Sequence, residues 1–144
     1  MIRIKKSYRT FLICIGILSC NVMYNNAIFS FFDSENRNIT IVSGSDPLIV
    51  GIKEIFIQND WQVLTFSKDI VQSEIDFSSI DTNYIMLSSY NQGKDLFLGP
   101  FVQEYEFTIY DTTSEIEVAV LYGSQRTVDQ VVDEFKYILE NNYE

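Results

Sequence analysis

The chain has 144 residues, with 20 Asp and Glu against 10 Lys and Arg, so its formal charge is −10 at pH 7. Such an acidic chain repels nucleic acid, whose binding requires clustered Lys and Arg, and we expect no nucleic-acid partner. The chain also lacks histidine and has only two cysteines, Cys14 and Cys20. The missing histidine excludes Ser-His-Asp and Cys-His catalysis, as well as zinc sites that depend on His ligands.

The first 20 residues have the order of an export signal. Basic residues at positions 3, 5, 6 and 9 precede an apolar run over residues 11–19, which Cys20 follows directly. That run is about half of the roughly 20 apolar residues that a membrane-spanning helix requires. Ordinary signal peptidase needs small residues just before its cut, and residues 25–27 offer only Ala27, far from the apolar run. An uncleaved anchor and an ordinary cleavage site are therefore the weaker interpretations.

Residues 17–20, Ile-Leu-Ser-Cys, resemble the lipobox of bacterial lipoproteins, although Leu18 stands where a smaller residue is more usual. The resemblance implies that residues 1–19 are a signal peptide and that Cys20 becomes the lipidated, palmitate-carrying first residue of the mature chain. Asn21 is not the aspartate that such families associate with retention in the inner membrane. We therefore expect a lipid-anchored protein on the periplasmic side of the cell envelope, with the outer membrane favoured over the inner one.

Removal of this leader leaves six Lys and Arg against all 20 Asp and Glu, a formal charge of −14. Because Cys14 leaves with the leader and lipid occupies the sulfur of Cys20, the mature chain has neither a disulfide nor a thiol nucleophile. Residues 20–37 have the composition of a polar tether, interrupted by three aromatics, Phe29, Phe31 and Phe32. We favour docking of these rings on the domain, or a first edge strand, over an aromatic membrane anchor or a partner-binding segment.

A single domain is predicted over residues 38–144. It opens with a β-branched segment at residues 38–42, which is typical of a buried strand. Ser45 or Asp46 can cap a following helix of about 12 residues, because Pro47 suits the first helical position. The next elements are a second strand over residues 61–66, a polar loop with one helical turn over 67–83, a third strand over 84–90 and a break at 91–95.

Two runs of alternating apolar and polar residues, 101–109 and 116–122, predict an antiparallel hairpin. Residues 127–130 have the form of a capping box, and apolar residues at helical spacing follow them. We therefore predict an α+β fold, a two-layer sandwich in which two helices cover one face of a mainly antiparallel sheet of about five strands. The outer face of the hairpin carries Glu104, Glu106, Glu115 and Glu117.

Carboxylates are the catalytic candidates that remain, since the scattered glycines form neither a P-loop nor a dinucleotide fingerprint. Two acids about 5–10 Å apart in a cleft could hydrolyse a glycoside, and Glu117 could approach Glu104 and Glu106 across the hairpin. Their small or polar neighbours would not bury an acid and raise its pKa. We expect a solvated acidic face, with Ca²⁺ binding as a lesser alternative, and no catalytic residue, metal site or cofactor.

Tyrosines offer the other candidate site. A partner-binding surface could be formed by Tyr90, Tyr105, Tyr110 and Tyr122. Tyrosine on a sheet more often serves packing, so this surface is the less frequent outcome.

In chain order and together with the lipobox, these elements resemble the small α/β lipoproteins of Gram-negative envelopes, a group that includes partners of outer-membrane assembly machines. The resemblance covers residues 38–142 in layout alone, and a shared layout does not carry function. Our leading hypothesis is a non-enzymatic accessory subunit that binds another protein in an assembly, secretion or pilus-type apparatus of the envelope. The alternative is an acidic inhibitor or immunity protein against a basic periplasmic enzyme or toxin.

Overall fold

Six strands form one sheet in the computed structural model, which describes residues 24–28, 32–42, 44–66, 75–95 and 99–141. In chain order the strands are β1 (Tyr24–Ile28), β2 (Asn38–Val42), β3 (Gln62–Phe66), β4 (Tyr84–Asp95), β5 (Gly99–Asp111) and β6 (Ile116–Thr127). The helices are α1 (Pro47–Gln58) and α2 (Val128–Asn141), and a 3-10 turn spans Phe77–Ser79. The predicted α+β fold is confirmed, with β1 as an additional strand.

The strand order across the sheet is β1-β6-β5-β4-β2-β3. Antiparallel pairing joins β1 to β6, β6 to β5 and β5 to β4, whereas β2 runs parallel to both β3 and β4. The connection between the parallel strands β2 and β3 is α1. Parallel neighbours require such a crossover, because the chain must return to the end of the sheet at which the first strand began. The sheet is thus mainly antiparallel, as predicted.

Both helices begin at the caps that the sequence predicts. The Asp46 carboxylate accepts hydrogen bonds from the backbone N–H groups of Leu48 and Ile49 at 3.1 and 3.3 Å. Before α2, the N–H of Thr127 donates to Gln130 Oε1 at 3.0 Å, and the N–H of Gln130 donates to Thr127 Oγ1 at 3.2 Å. These contacts satisfy N–H groups that the first turn of a helix leaves unpaired.

The hydrophobic core lies between the two helices and one face of the sheet. Phe107 of β5 contacts Phe135 of α2 edge to face, with ring centroids 5.1 Å apart. The two helices also touch each other at Gly51, where an added Cβ would stand 2.9 Å from Val132 Cγ2. The close approach that Gly51 permits is therefore to α2.

The N-terminal segment differs from the predicted tether. β1 pairs with β6 along its whole length, and Phe32 is fully buried. The ring of Phe32 meets Trp61 and Tyr84 edge to face, at centroid distances of 5.5 and 5.6 Å. The prediction of a flexible link is wrong for these residues, because the sheet edge and an aromatic cluster hold them. Docking is confirmed for Phe32, while Phe29 and Phe31 lie outside the described residues.

β4 also runs further than predicted. Its end, which the sequence assigned to a break at residues 91–95, continues to Asp95 paired with β5. The pairing shifts between Asn91 and Gln92, as at a β-bulge. The polar residues remain in the strand because β5 supplies ladder hydrogen bonds, and such pairing overrides their weak strand propensity.

The second face of the sheet, opposite the helices, is covered over part of its area. Leu87 and Thr108, which are directly paired between β4 and β5, are both buried there. Nearby, the ring of Phe77 packs against Tyr110 with centroids 5.6 Å apart. Beyond the row of Leu87 and Thr108, towards the other end of the strands, this face opens to solvent.

We expect Phe32→Ala to lower the free energy of unfolding by about 3–5 kcal/mol, because it empties a fully buried aromatic site. Urea denaturation followed by tryptophan fluorescence measures this, since Trp61 touches the lost ring. Phe77→Ala is the matched control and should cost less, because Phe77 is only half-buried. Equal losses in the two variants would contradict docking of Phe32 in the core.

Candidate functional site

The open part of the second face presents two rows of polar side chains across β4, β5 and β6. Paired residues form each row, because cross-strand neighbours point to the same face of a sheet. One row has Glu106 at its centre and the other has Glu104. In row order the six residues are Ser89, Glu106, Tyr122, then Asn91, Glu104, Ser124.

These six residues line a depression with a volume of about 420 Å³, which we call the acidic depression. The floor of the acidic depression is formed by Tyr90, Tyr105 and Gly123. Tyr122 is 44% exposed, so its ring is available at the rim, next to the Glu106 carboxylate. The sequence singled out Glu104, Glu106 and Tyr122, but only the strand register shows that they are neighbours.

The two carboxylates of the acidic depression are exposed, and neither makes a hydrogen bond or an ion pair with the part of the chain that the structure describes. Glu117 does not join them, because it pairs across the hairpin with Tyr110 and accepts a hydrogen bond from that hydroxyl at 3.2 Å. The approach of Glu117 to Glu104 and Glu106 that the sequence allowed is therefore wrong. Nothing buries either carboxylate as a general acid requires.

The four tyrosines proposed as one surface lie on both sides of the sheet. Tyr90 and Tyr105 face the helices, where Tyr90 stacks on Phe107 at 5.9 Å and Tyr105 is buried. Tyr110 and Tyr122 point to the second face, but Tyr110 is engaged with Phe77. Because alternate residues of a strand face opposite ways, no single surface collects all four, and Tyr122 alone belongs to the acidic depression.

On the helix side, Asp46 joins the start of α1 to β4. Its carboxylate accepts hydrogen bonds from Tyr90 Oη at 2.6 Å and from Gln92 Nε2 at 2.8 Å, besides those of the helix cap. Burial opposes ionisation of Asp46, but the hydrogen bonds from Tyr90, the helix N–H of Ile49 and Gln92 outweigh it and lower its pKa. Both oxygens of the Asp46 carboxylate accept hydrogen bonds, so this carboxylate serves structure.

A second helix-side contact joins Tyr105 to Glu134 of α2. Tyr105 Oη donates to Glu134 Oε2 at 2.8 Å, and the ring passes over Gly123, where an added Cβ would stand 2.6 Å from that hydroxyl. Glu134 Oε1 is buried and finds no hydrogen-bond donor among the described residues. Burial raises the pKa of Glu134 above its usual value, against the Tyr105 hydrogen bond and the positive charge of Arg126, which lower it.

The described residues contain neither a metal-binding cluster nor a membrane-spanning helix. No group of three or more Asp, Glu, Cys or His side chains there could hold a metal ion. No helix of the same residues is long and apolar enough to cross a membrane. Cys20, the predicted lipidation site, lies outside the described ranges.

No protein-family model and no curated protein matches the sequence. Solved structures do match the fold. A PelC dodecamer from Paraburkholderia phytofirmans shares it with a TM-score of 0.55 at 12% identity, over 85% of this chain and all of the PelC chain. A single-residue variant of that PelC, also a dodecamer, gives a TM-score of 0.53 at 12% identity, over 81% of this chain and 95% of the other. At this identity the likeness establishes the fold alone.

Sequence inspection missed the partners that surround the two glutamates. Ser89, Asn91 and Ser124 carry no signal by themselves, because polar residues are ordinary on an exposed strand face. The alternation of apolar and polar residues in the hairpin would have predicted the pairing of Glu104 with Ser124 if the register of the two strands had been known. Pairing with β4 could not be inferred, because that strand was expected to end before Asn91. Glu134 also escaped notice, since acidic residues are common on a helix surface.

We expect Glu134→Gln to stabilise the protein at neutral pH relative to the parent chain. A raised folded-state pKa means that the folded chain holds the proton more tightly, so stability falls as pH rises from the unfolded-state pKa through the folded one. Gln keeps an acceptor for Tyr105 and removes the buried charge. Urea midpoints of both chains should differ at pH 7 and converge towards pH 4, near the ordinary pKa of a glutamate side chain.

The control for that comparison is Glu54→Gln, which changes an exposed glutamate on α1. Between pH 7 and pH 4, the urea midpoint of this variant should change by the same amount as that of the parent chain. If Glu134→Gln lowered stability at neutral pH, the inferred cost of burying this carboxylate would be contradicted.

Proposed function

We propose that this protein is a non-enzymatic, lipid-anchored lipoprotein of the bacterial envelope that binds another protein. It would act as an accessory subunit of an assembly, secretion or pilus-type apparatus. The observation that carries the proposal is the acidic depression, an open sheet face whose carboxylates and tyrosine have no partner among the described residues. Such a surface offers groups for contact with a partner, and it lacks the buried acid or base that chemistry would need.

Attachment to the membrane rests on Cys20. The mature charge of −14 repels anionic lipid head groups, so acyl chains on the cysteine would have to supply the affinity. More than one chain makes such an anchor stable. With Asn21 next to the cysteine, the outer membrane on its periplasmic side is the favoured place.

Membership in a larger assembly has support from the shared fold. The PelC protein that it resembles in structure forms a dodecamer, so this sheet-and-helix layout is compatible with close contact between many subunits. Both edges of the sheet in the described residues, β1 and β3, offer unpaired backbone groups to a neighbouring chain. A partner strand could add to either of them.

Cys20→Ala tests the anchor. Without the sulfur to acylate, the variant should fail to incorporate labelled palmitate and should leave the membrane fraction of a bacterial host. The parent chain should be labelled and sediment with membranes. Cys14→Ala is the matched control, because it removes the other cysteine while leaving the lipobox intact, and it should behave like the parent.

Retention of Cys20→Ala in the membrane fraction, with its leader still cleaved, would overturn the lipoprotein proposal. The test does not depend on what the domain binds, so its result concerns attachment alone.

A second candidate function is inhibition of a basic periplasmic enzyme or toxin, and the mature charge of −14 favours it. Complexes that depend on long-range charge attraction weaken strongly with salt. Capture of a cationic hydrolase whose binding and inhibition are lost at raised ionic strength would favour this function. A membrane complex that survives moderate salt would favour the accessory subunit.

A further inference from the structure

We propose that the acidic depression is a docking site for a Lys- or Arg-bearing segment of a partner protein. The inference rests on the proposed binding function and adds the chemistry of the partner. Its basis is the arrangement of Glu104, Glu106 and Tyr122 on the open sheet face.

Glu104 and Glu106 have no opposite charge directly across the sheet. In antiparallel sheets a carboxylate is commonly stabilised by an opposite charge directly across the strand. Glu106 instead lies between Ser89 and Tyr122, and Glu104 lies between two uncharged residues as well. The two carboxylates also share one face of β5, two positions apart, which places them about 7 Å from each other along the strand. Neither carboxylate therefore has a Lys or Arg directly opposite it on β4 or β6.

The described lining of the depression also supplies no cation. None of the described residues that line the depression is Lys or Arg. Arg126 of β6 acts on Glu134, on the helix side of the sheet. Lys136 of α2 pairs with Glu140 at 3.9 Å. Because no described residue at the depression is Lys or Arg, we infer that a partner supplies the cation.

An exposed aromatic side chain lies at the rim of the depression. Tyr122 is directly opposite Glu106, and its ring is 44% exposed. A Lys ammonium or Arg guanidinium between the two would meet a carboxylate on one side and the face of an aromatic ring on the other. Ser89, Asn91 and Ser124 surround the pair with hydroxyl and amide oxygens that accept further hydrogen bonds. A basic side chain can use the aromatic face as well as the carboxylates, and no group of three Asp, Glu, Cys or His side chains in the described residues could hold a metal ion here.

The shape of the site agrees with an extended segment. The depression lies across three strands, so a bound segment could cross both rows and place two basic side chains near Glu104 and Glu106. Buried Leu87 and Thr108 mark where the covered part of the face begins and close one end. Towards the opposite end of the strands, the ring of Phe101 lies against Gly93. A Cβ added at Gly93 would stand 2.8 Å from Phe101 Cε1.

The experiment titrates the full chain, purified in detergent, with a fluorescent oligolysine peptide, and anisotropy reports binding. The ionic strength is about 0.15 M, where the Debye length is about 8 Å. We expect the double variant Glu104→Gln/Glu106→Gln to bind about tenfold more weakly, because two exposed opposite-charge contacts are lost. Tyr122→Leu keeps an apolar side chain without the aromatic face and should weaken binding about threefold.

The matched control is Glu115→Gln/Glu117→Gln, which removes the same two charges from the same hairpin outside the depression. It should change the affinity by less than about twofold, since screening limits the reach of exposed charges. An oligoglutamate peptide should not bind any of the chains. All substituted residues are exposed, and equal urea midpoints confirm that every variant is folded.

Two results would overturn the proposal. One is failure of the parent chain to bind oligolysine, and the other is equal weakening by the two double variants, which would mean attraction to overall charge alone. Either result could occur while Cys20 still carries lipid and anchors the chain. In that case the envelope function would stand and its partner would have a different chemistry.

Discussion

The alternation of side chains along β5 is the constraint on which the rest of the structure depends. Tyr105, Phe107 and Ile109 point towards the helices and are buried in the core, whereas Glu104 and Glu106 point the other way into solvent. Because the two sets belong to one strand at the centre of the sheet, the core and the acidic depression share a single backbone. A slip of one residue in register would exchange them and destroy both.

The helices depend on this same face. Phe107 meets Phe135 of α2, and Phe56 of α1 meets Phe135 with centroids 6.3 Å apart, so the aromatic contacts run from the sheet through both helices. Polar contacts at the rim then fix the helix positions. Asp46 links the start of α1 to β4, and Glu134 links α2 to β5 through Tyr105. Two of the tyrosines that the sequence offered for partner binding, Tyr90 and Tyr105, therefore hold the helices against the sheet.

The N-terminal segment shows where composition misleads. Its polar residues suggested a free tether, yet β1 completes the sheet at β6 and Phe32 enters a cluster with Trp61 and Tyr84. Aromatic rings recover enough free energy on burial to order a short segment that has little propensity of its own.

Much of the fold could be predicted because its signals are local. The start of α1 is predicted by Asp46 and Pro47, and the start of α2 by Thr127 and Gln130. The alternation of apolar and polar residues predicts β5 and β6. Each element therefore follows from a few neighbouring residues. The pairing of β1 and the length of β4 could not be predicted, since both depend on hydrogen bonds to strands distant in sequence. The same holds for the candidate site, which takes residues from three strands and becomes visible only with their register.

The sequence by itself determined the acidic balance, the absence of histidine, the lipobox-like signal and the identity of the two helices and the hairpin. These are properties of composition and of short-range pattern, and they do not need the chain to be folded. Only the tertiary structure decided which tyrosines pack and which remain exposed, and that Glu104 and Glu106 lie beside Tyr122 without a cation. Those outcomes depend on which strands pair and in what register, and long-range packing settles both.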